Sequence, residues 1–377
     1  MTLHLRNNGI SVVQQPTYPN VTNTHLLYTV TSNLSGNPQY QYVMDVKQSG
    51  SLLTRVKQYP NPNAAGIFDP ARILNDYIEF DENWKTSTLL TPVTSVQQFD
   101  ILFGEEYGTS LSSSVVLYDG NGNPGDPAVT TIQADVFGGV VDPNNGVSFN
   151  WQAQPILSNT PLTGQKIAYN DYHTLAFYNN GTVTSVSVDY DPGPTVTYSL
   201  QSGFNTVPVG SKNIAGASTW DTITVTAGST DIIYTLDEEC NYDRVRFAFI
   251  NKYGFWDYYG INLPVRHETS LMRKSLTRPN VNYDGTIGTY NVQRRGKDYY
   301  NTQYEDNYTI TTEFVDQETA SWLSELIESP SVYVQEGTNF VPIVVTNGSY
   351  INNTNKRSQK TFQFEINYQY ANARPGR

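Results

Sequence analysis

Two groups of adjacent carboxylates are the side chains of this sequence best suited to acid–base chemistry. Glu105 and Glu106 lie together in "FGEEYG", and Asp237, Glu238 and Glu239 lie together in "LDEEC". Two carboxyl groups held about 5 to 9 Å apart would suit glycoside hydrolysis, and that separation is set in space rather than along the chain. A glycan hydrolase therefore remains an alternative hypothesis for the function. Because acidic residues usually lie in water, we predict that these are solvated turn or strand-end residues and that there is no catalytic residue.

The patterns that would bind a metal ion or a cofactor are incomplete. From Asp119, the stretch "DGNGNPGDPAVT" has the first spacings of an EF-hand loop, but Pro124 replaces the required glycine and Thr130 the bidentate glutamate. A tight hairpin turn is the better interpretation. The histidines have no partner at helical spacing; they are His4, His25, His173 and His267. We predict no metal site and no cofactor.

Composition excludes several classes of partner. The 377 residues include 28 tyrosines and carry a net charge of −12, which repels nucleic acid and anionic membranes. The single cysteine, Cys240, excludes an internal disulfide. No apolar run has the length of a membrane span, and the first residues do not have the pattern of an export signal. We expect a chain without a membrane span that is made in a cytoplasm.

Alternation of apolar and polar residues is the dominant structural pattern. In "FQFEINYQY", the residues that share one face are Phe362, Phe364, Ile366, Tyr368 and Tyr370. The stretches "YQYVMDV" from Tyr40 and "DRVRFAFIN" from Asp243 alternate in the same way. Half-buried strands separated by Gly, Pro and Asn predict a mainly β protein built from several antiparallel β-sandwiches.

Two segments carry helix signals, one near each end of the sequence. In "DPARILNDYI", Asp69 is placed to cap a helix that begins at Pro70. In "DQETASWLSELIESP", Asp316 is placed to cap a helix that ends before Pro330. We predict one short amphipathic helix in each terminal domain, over residues 69–78 and 316–328. The region between them is poor in charge and rich in Ser and Thr, so the predicted domains are 1–94, 95–236 (a sandwich that projects or is inserted) and 237–377.

The stretch "INKYGFWDYYGI" contains the densest group of aromatic residues, which are Tyr253, Phe255, Trp256, Tyr258 and Tyr259. After the turn "KYG", both faces of the following strand carry rings. One set must pack inward, and the other must meet a neighbouring element, a partner chain or a ligand. Burial in the core and a partner contact both stay open.

The segment from Pro264 to Tyr300 is basic in an otherwise acidic chain, with seven basic and three acidic residues. Its candidate interface residues are Arg266, Arg273, Lys274, Arg278, Arg294 and Arg295. Opposite charges on one chain favour a contact between copies, so we predict that this segment crosses to another subunit of a homo-oligomer. A long, solvated strand-and-loop connection is the alternative.

The first 90 residues contain "YVMDV", "TRVKQYPNP" and "GIFDPARIL", and the last 140 contain "YDRVRFAFINKYGFWDYYGI" and "ETASWLSELIESPSVYVQEG". In this order, these stretches resemble virion structural proteins of tailed bacteriophages, in particular tail or baseplate-region proteins of phages of marine and Bacteroidetes hosts. The resemblance implies a β-rich, non-enzymatic building block that assembles in the host cytoplasm with other virion proteins. No list of functional residues comes with it. A receptor-binding virion protein that attaches to a host-surface glycan is the alternative.

Overall fold

The computed structural model describes most of the chain in two compact units. The described residues are 4–5, 10–80, 82–91, 96–107, 131–137, 155–169, 171–217, 219–238, 242–278, 281–290, 293, 296–347 and 361–372. The first unit is Met1–Asp237 with Ile250–Asp257, and the second is Glu238–Phe249 with Tyr258–Arg377. The mainly β class predicted from the alternating residues is confirmed, with several sheets and two α-helices in the described residues.

The first unit begins with nine strands. They are β1 His4–Leu5, β2 Ile10–Gln14, β3 Asn20–Val21, β4 Tyr28–Ser32, β5 Gln41–Gln48, β6 Ser51–Gln58, β7 Ala65–Phe68, β8 Val96–Tyr107 and β9 Thr131–Phe137. The helix α1 spans Ala71–Asn75, and a 3-10 turn spans Asn83–Lys85. One sheet has the order β3-β9-β8-β5-β6, with β1 also pairing with β8, and a second has the order β2-β4-β7.

These two sheets pack face to face around an aromatic core. Phe103 of β8 lies with its ring centroid 5.2 Å from that of Tyr28 and 5.7 Å from that of Phe68, both on the facing sheet. The sheets approach most closely at Gly66, where an added Cβ would lie 2.7 Å from the ring of Tyr42. Only glycine fits there without displacing the ring.

A second sandwich completes the first unit. Its strands are β10 Gln165–Ile167, β11 Thr174–Asn179, β12 Ser185–Asp191, β13 Thr195–Ser199, β14 Gly203–Pro208, β15 Thr222–Ala227 and β16 Thr230–Leu236. The sheet β10-β16-β15-β12-β13 lies over the pair β11-β14. In β12, Val186, Val188 and Tyr190 are buried, and the alternate Ser and Asp residues are exposed or half-buried. The outward positions of this strand are therefore polar, with two serines and two aspartates.

The sheet of the N-terminal strands extends past the predicted domain boundary at residue 94. Strands β8 and β9 begin after residue 94, yet they pair with β5 and with each other in the sheet that the N-terminal strands build. Asn213 of the second sandwich donates hydrogen bonds to the carbonyls of Trp84 and Thr86, at 2.9 and 2.6 Å. Residues 83–91 thus lie against the second sandwich within the same unit.

The second unit is built on a seven-stranded antiparallel sheet. Its strands are β17 Val245–Ile250, β18 Trp256–Ile261, β19 Arg266–Thr277, β22 Lys297–Thr311, β23 Val332–Glu336, β24 Asn339–Val345 and β25 Glu365–Tyr370, in the order β18-β17-β23-β24-β25-β22-β19. Two short strands, β20 Val281–Tyr283 and β21 Gly288–Tyr290, pair with each other between β19 and β22. In β25, Ile366 and Tyr368 are buried and Glu365 is exposed, as the alternation predicts.

The helix α2, Gln317–Glu328, covers one face of this sheet. Its buried residues Trp322, Leu323 and Leu326 pack with Phe249 and Ile343 in one hydrophobic cluster. Because three apolar side chains recur at helical spacing, the helix buries a continuous stripe against the strands. None of the helices in the described part of the chain is long and apolar enough to cross a membrane.

Both predicted helices are present, and α2 has the predicted boundaries. Asp316 is its N-cap and accepts a hydrogen bond from the N–H of Thr319 at 2.8 Å. The first helix begins at Ala71 and ends at Asn75, so it is shorter than predicted. The N-cap residue of α1 is Pro70 rather than the predicted Asp69, and the cap has no side-chain hydrogen bond. Asp69 accepts hydrogen bonds from the N–H groups of Ala71 and Leu26.

The cap of α2 gives a first prediction. Asp316→Ala should lower the free energy of unfolding by about 1 kcal/mol, because the N–H of Thr319 loses its acceptor. Urea denaturation measures the loss. Asp316→Ser is the matched control, since a serine hydroxyl can accept the same hydrogen bond and should retain most of the stability. An equal loss in both variants would contradict this role of the cap.

Candidate functional site: a projecting basic arm

The adjacent carboxylates of β8 lie inside the protein. Glu105 and Glu106 are 1% and 0% exposed, and as successive residues of a strand they point to opposite faces of the sheet. The Oε2 atom of Glu105 accepts hydrogen bonds from Ser32 at 2.6 Å and from Tyr40 at 2.7 Å. Two carboxylates on opposite faces cannot act on one substrate, and both are buried where solvation was predicted.

Glu106 belongs to a group of four charged side chains on the other face of that sheet. The Nζ atom of Lys57 lies 2.6 Å from its Oε2. Beside this pair, Arg55 donates two hydrogen bonds of 2.6 Å to Asp45. The hydrogen bond to Asp45 raises the pKa of Arg55, and the charge of Glu106 adds to that effect. The group combines two positive and two negative charges, which compensates their burial.

The remaining predicted acid–base and metal-binding candidates do not converge. Asp237 is half-buried and Glu238 is exposed, while Glu239 and the loop from 119 to 130 lie outside the described residues. His25 contacts Asp69, His173 contacts Tyr234 and His267 contacts Asp306. Among the residues that the structure describes, no three His, Cys, Asp or Glu side chains are grouped so that they could hold a metal ion.

The first part of the aromatic stretch is buried in the first unit. Tyr253, Phe255 and Trp256 are 3%, 4% and 8% exposed. The ring of Trp256 meets that of Trp84 edge to face with centroids 4.9 Å apart, and Phe255 stacks on Phe204. These rings therefore face protein and present no open platform for a sugar.

Asn251 fixes the turn that carries these rings. Its Oδ1 accepts hydrogen bonds from the N–H groups of Tyr253 and Phe255, at 3.0 and 3.1 Å, and its Nδ2 donates to the carbonyl of Leu157 at 2.9 Å. Gly254 has a φ of +81°, a conformation that favours glycine. The turn predicted at "KYG" is thus present and is tied to the core by one amide side chain.

The last two rings of the stretch lie in the second unit. Tyr258 is buried, and the guanidinium of Arg246 lies 5.1 Å above the centre of its ring. Tyr259 is half-buried and meets Trp322 of α2 edge to face. Burial raises the pKa of Tyr259 to about 12. All five aromatic candidates for an intermolecular contact are therefore covered by their own chain, wholly or in part.

The basic segment has the opposite environment. All twelve residues of β19 are exposed, including Arg266, Arg273 and Lys274. Arg278 is also exposed, whereas Arg294 and Arg295 lie outside the described residues. Strand β19 pairs along its whole length with β22, and the register shifts once, between Lys274 and Ser275. The segment is therefore a long β-ribbon rather than an irregular connection.

Most of this ribbon extends beyond the sheet, as an arm made of the residues described between 268 and 307. Strand β25 pairs with β22 only from Tyr308 to Thr311, and in the described residues no third strand pairs with the arm. A strand of twelve residues is about 40 Å long. Two-stranded ribbons are only marginally stable in water unless a third strand or a covering layer packs on them. In the described residues the arm has neither.

The arm also exposes much of the apolar surface of the chain. Eight of the eighteen exposed large apolar side chains of the described residues lie in it: Leu271, Met272, Leu276, Tyr283, Ile287, Tyr290, Tyr299 and Tyr300. Basic groups lie among them, and the guanidinium of Arg273 is 5.4 Å from the centre of the Tyr299 ring. Apolar side chains concentrated in this way are typical of an interaction surface.

A row of rings joins the base of the arm to the core. His267 stacks on Tyr308 with ring centroids 4.4 Å apart, and Tyr308 stacks on Tyr368 at 5.2 Å. These residues are cross-strand neighbours on β19, β22 and β25, and Tyr368 belongs to the core beneath α2. The sequence gives no signal for this row, because the row depends on the pairing of three strands distant in sequence.

Comparison with known proteins gives no family for this chain. No protein-family model matches the sequence, and no curated protein matches it. Among solved structures, a mutant alpha-2-macroglobulin of Salmonella is similar at 9% identity and a TM-score of 0.14, over 97% of this chain and 31% of that chain. The chain thus spans less than a third of that protein, and values this low indicate neither a shared fold nor a shared function.

The buried aromatic stretch gives a second prediction. Trp256→Ala should lower the free energy of unfolding by about 3 to 5 kcal/mol, because it removes a large buried ring from its contact with Trp84. Tyr300→Ala is the control, since its ring is 66% exposed and its removal should change stability by no more than about 0.5 kcal/mol. Chemical denaturation measures both. A Trp256 variant that keeps its stability and loses binding to a glycan would contradict the structural role.

The buried charges give a third prediction. Lys57→Met should destabilise the protein by about 3 kcal/mol, because Glu106 remains buried without its nearest cation. Adding Glu106→Gln should recover most of that loss, since the remaining amide carries no charge. Denaturation of the two single variants and the double variant measures the coupling. Additive losses in the double variant would show that the pair does not interact.

Proposed function

We propose that this chain is a non-enzymatic structural subunit of a tailed-bacteriophage particle, located in its tail or baseplate. In this proposal the chain is made in the host cytoplasm and is incorporated into the virion. It binds other virion proteins and further copies of itself. The compact sandwiches form the folded part of the subunit, and the arm makes the contact between subunits.

The observation that carries this proposal is the arm. It combines an unaccompanied two-stranded ribbon, eight exposed large apolar side chains and the exposed cations of β19. A chain that acted alone would leave this surface in water, at a cost in both stability and solubility. A subunit that docks the arm on a neighbour removes the apolar side chains from water and completes the ribbon with a further layer.

The charge distribution supports contact with an acidic protein surface. The whole chain carries −12, and the segment from Pro264 to Tyr300 has seven basic residues against three acidic ones. Copies of the chain therefore attract one another locally, at the exposed cations of β19, since the whole arm carries six basic residues against five acidic ones. The kind of particle named in this proposal comes from the sequence resemblance of the terminal stretches to phage virion proteins.

A receptor-binding role is the second candidate, and the tip of the arm is the feature that favours it. Tyr283 and Tyr290 are 70% and 72% exposed. Because Val281 pairs with Tyr290 and Tyr283 pairs with Gly288, the two rings lie on the same face of the β20–β21 ribbon. Neighbouring exposed rings can stack on sugars, so a host-surface glycan would bind there rather than at the buried stretch around Trp256.

Two measurements separate these functions. Mass spectrometry of tailed particles purified from the source of this sequence should find the chain as a stoichiometric component. Its absence from such particles would overturn the virion proposal. A glycan array probed with the full chain and with the Tyr283→Ala/Tyr290→Ala variant tests the second candidate, which requires binding that the variant loses.

Shortening the arm gives a fourth prediction. Replacing residues 270–305 by Asn-Gly joins the cross-strand neighbours Thr269 and Asp306 through a two-residue hairpin turn. The body should keep its cooperative unfolding, because the arm contributes no residue to the buried clusters. Sedimentation velocity should show oligomers of the full chain and only monomers of the shortened one.

The control for this experiment removes exposed apolar side chains elsewhere. Val13 and Ile67 are 65% and 48% exposed and lie outside the arm. The Val13→Ser/Ile67→Ser variant should assemble like the unaltered chain. Oligomers that survive shortening of the arm would contradict its role in assembly.

A further inference from the structure

We propose that two copies of this chain pair through the free edge of β19, antiparallel, with Leu271 of each copy at a two-fold axis. The partner is a second copy of the chain, and the pairing joins the two arms into one four-stranded sheet. This inference rests on the proposed function, in which the arm is the assembly contact. It goes further by naming the strand, the register and the symmetry.

The edge of β19 is open to such pairing. In the described residues β19 is the terminal strand of its sheet and pairs only with β22. All twelve of its side chains are exposed. An edge strand of this length presents a row of backbone donors and acceptors, which is a template for a further strand.

The sequence of the edge is complementary to itself. In the segment "ETSLMRK", Glu268 and Lys274 stand three residues on either side of Leu271. When two copies run antiparallel about Leu271, Glu268 lies opposite Lys274 of the partner subunit, and the same pair recurs on the other side of the axis. Directly opposed residues of unlike charge stabilise an antiparallel pair, and residues of like charge destabilise it.

The neighbouring registers lack this match. A two-fold axis perpendicular to the sheet keeps each residue on its own face, so the axis must pass through a residue position. An axis through Ser270 places Arg266 opposite Lys274, and an axis through Met272 places Arg266 opposite Arg278. Both registers oppose cations, whereas the register at Leu271 opposes cation and anion.

The apolar residues at the centre favour the same register. Leu271 and Met272 are 49% and 63% exposed in the single chain. In the pair, the two Leu271 side chains meet at the axis, and each Met272 lies beside Ser270 of the partner subunit. The shift in register between β19 and β22 falls just after Lys274 and lies on β22, where Tyr300 is skipped in the pairing, so β19 itself runs without an extra residue through the complementary segment.

The charges of Glu268 and Lys274 also explain why β19 would pair with a second copy of itself rather than with an unrelated strand. A lysine on an edge strand opposes pairing with unrelated strands, because its charge would be enclosed without a counter-ion. In the self-pair, Glu268 supplies that counter-ion. Glu268 already accepts a hydrogen bond from Arg266 of its own strand, and both side chains are exposed. A carboxylate has two oxygens, so it can bind the second cation as well.

Cysteine cross-linking tests the register in the full chain. In a Cys240→Ala background, Leu271→Cys should form a disulfide-linked dimer under mild oxidation, because opposed Cα atoms of antiparallel strands lie about 4.5 to 5.5 Å apart, within disulfide range. A mixture of Ser270→Cys and Met272→Cys chains should cross-link to each other. Thr277→Cys is the control and should stay monomeric on reducing-agent-free gels, because its two copies would be about 40 Å apart.

A charge exchange tests the same contact without a covalent bond. Glu268→Lys or Lys274→Glu alone should weaken dimerisation about tenfold in sedimentation equilibrium, because each creates two like-charge pairs per dimer. The double variant Glu268→Lys/Lys274→Glu should return to within about threefold of the unaltered chain. A general effect of lost basic charge would not produce this rescue. Recovery in the double variant therefore indicates direct pairing of residues 268 and 274.

The outcomes distinguish this inference from the function on which it rests. If shortening the arm abolishes assembly while Leu271→Cys does not cross-link and the charge variants dimerise equally, the arm is the contact but the β19 pairing is wrong. If shortening the arm leaves assembly intact, the proposed role of the arm in assembly is wrong, and the β19 pairing is wrong with it. Cross-linking at Leu271 together with charge rescue supports the pairing.

Discussion

A β-sheet can bury apolar side chains on a face only where a second layer covers that face. The compact parts of the structure supply that layer. In the first unit each sheet finds its layer in another sheet, and Phe103 and Tyr190 are buried between such layers. In the second unit the helix α2 supplies the layer, through Trp322. The arm is the place where the constraint is not met within the chain, and its exposed side chains follow from that.

The aromatic stretch and the arm show how composition alone can mislead about function. The stretch around Trp256 has the residues of a ligand platform, yet its rings are covered by protein. Trp84 and Phe204 contact Trp256 and Phe255, and Trp322 contacts Tyr259. The arm has fewer aromatic residues per position, but they are exposed. Exposure, rather than the number of rings, decides which of the two can bind another molecule.

The sequence predicts local features well, because their causes are local. The alternation ending at Tyr368 predicts strand β25, and the Asp316 cap predicts the start of α2. The extent of β19 was not predicted, since "RHETSLMRKSLT" has no regular alternation and its pairing is determined by β22, which follows an intervening hairpin. The burial of Glu105 was also missed, because its partners Ser32 and Tyr40 come from distant strands.

The position of β25 in its sheet has a consequence for the order of events during synthesis. It is the last strand of the described chain, but it lies between β24 and β22 in the middle of the sheet. A ribosome therefore releases the β19–β22 hairpin, which can form on its own within microseconds, well before the strand that joins it to the rest. Until β25 emerges, the nascent chain carries two unjoined half-sheets with open edges, a form that depends on chaperones or on rapid completion to avoid mispairing.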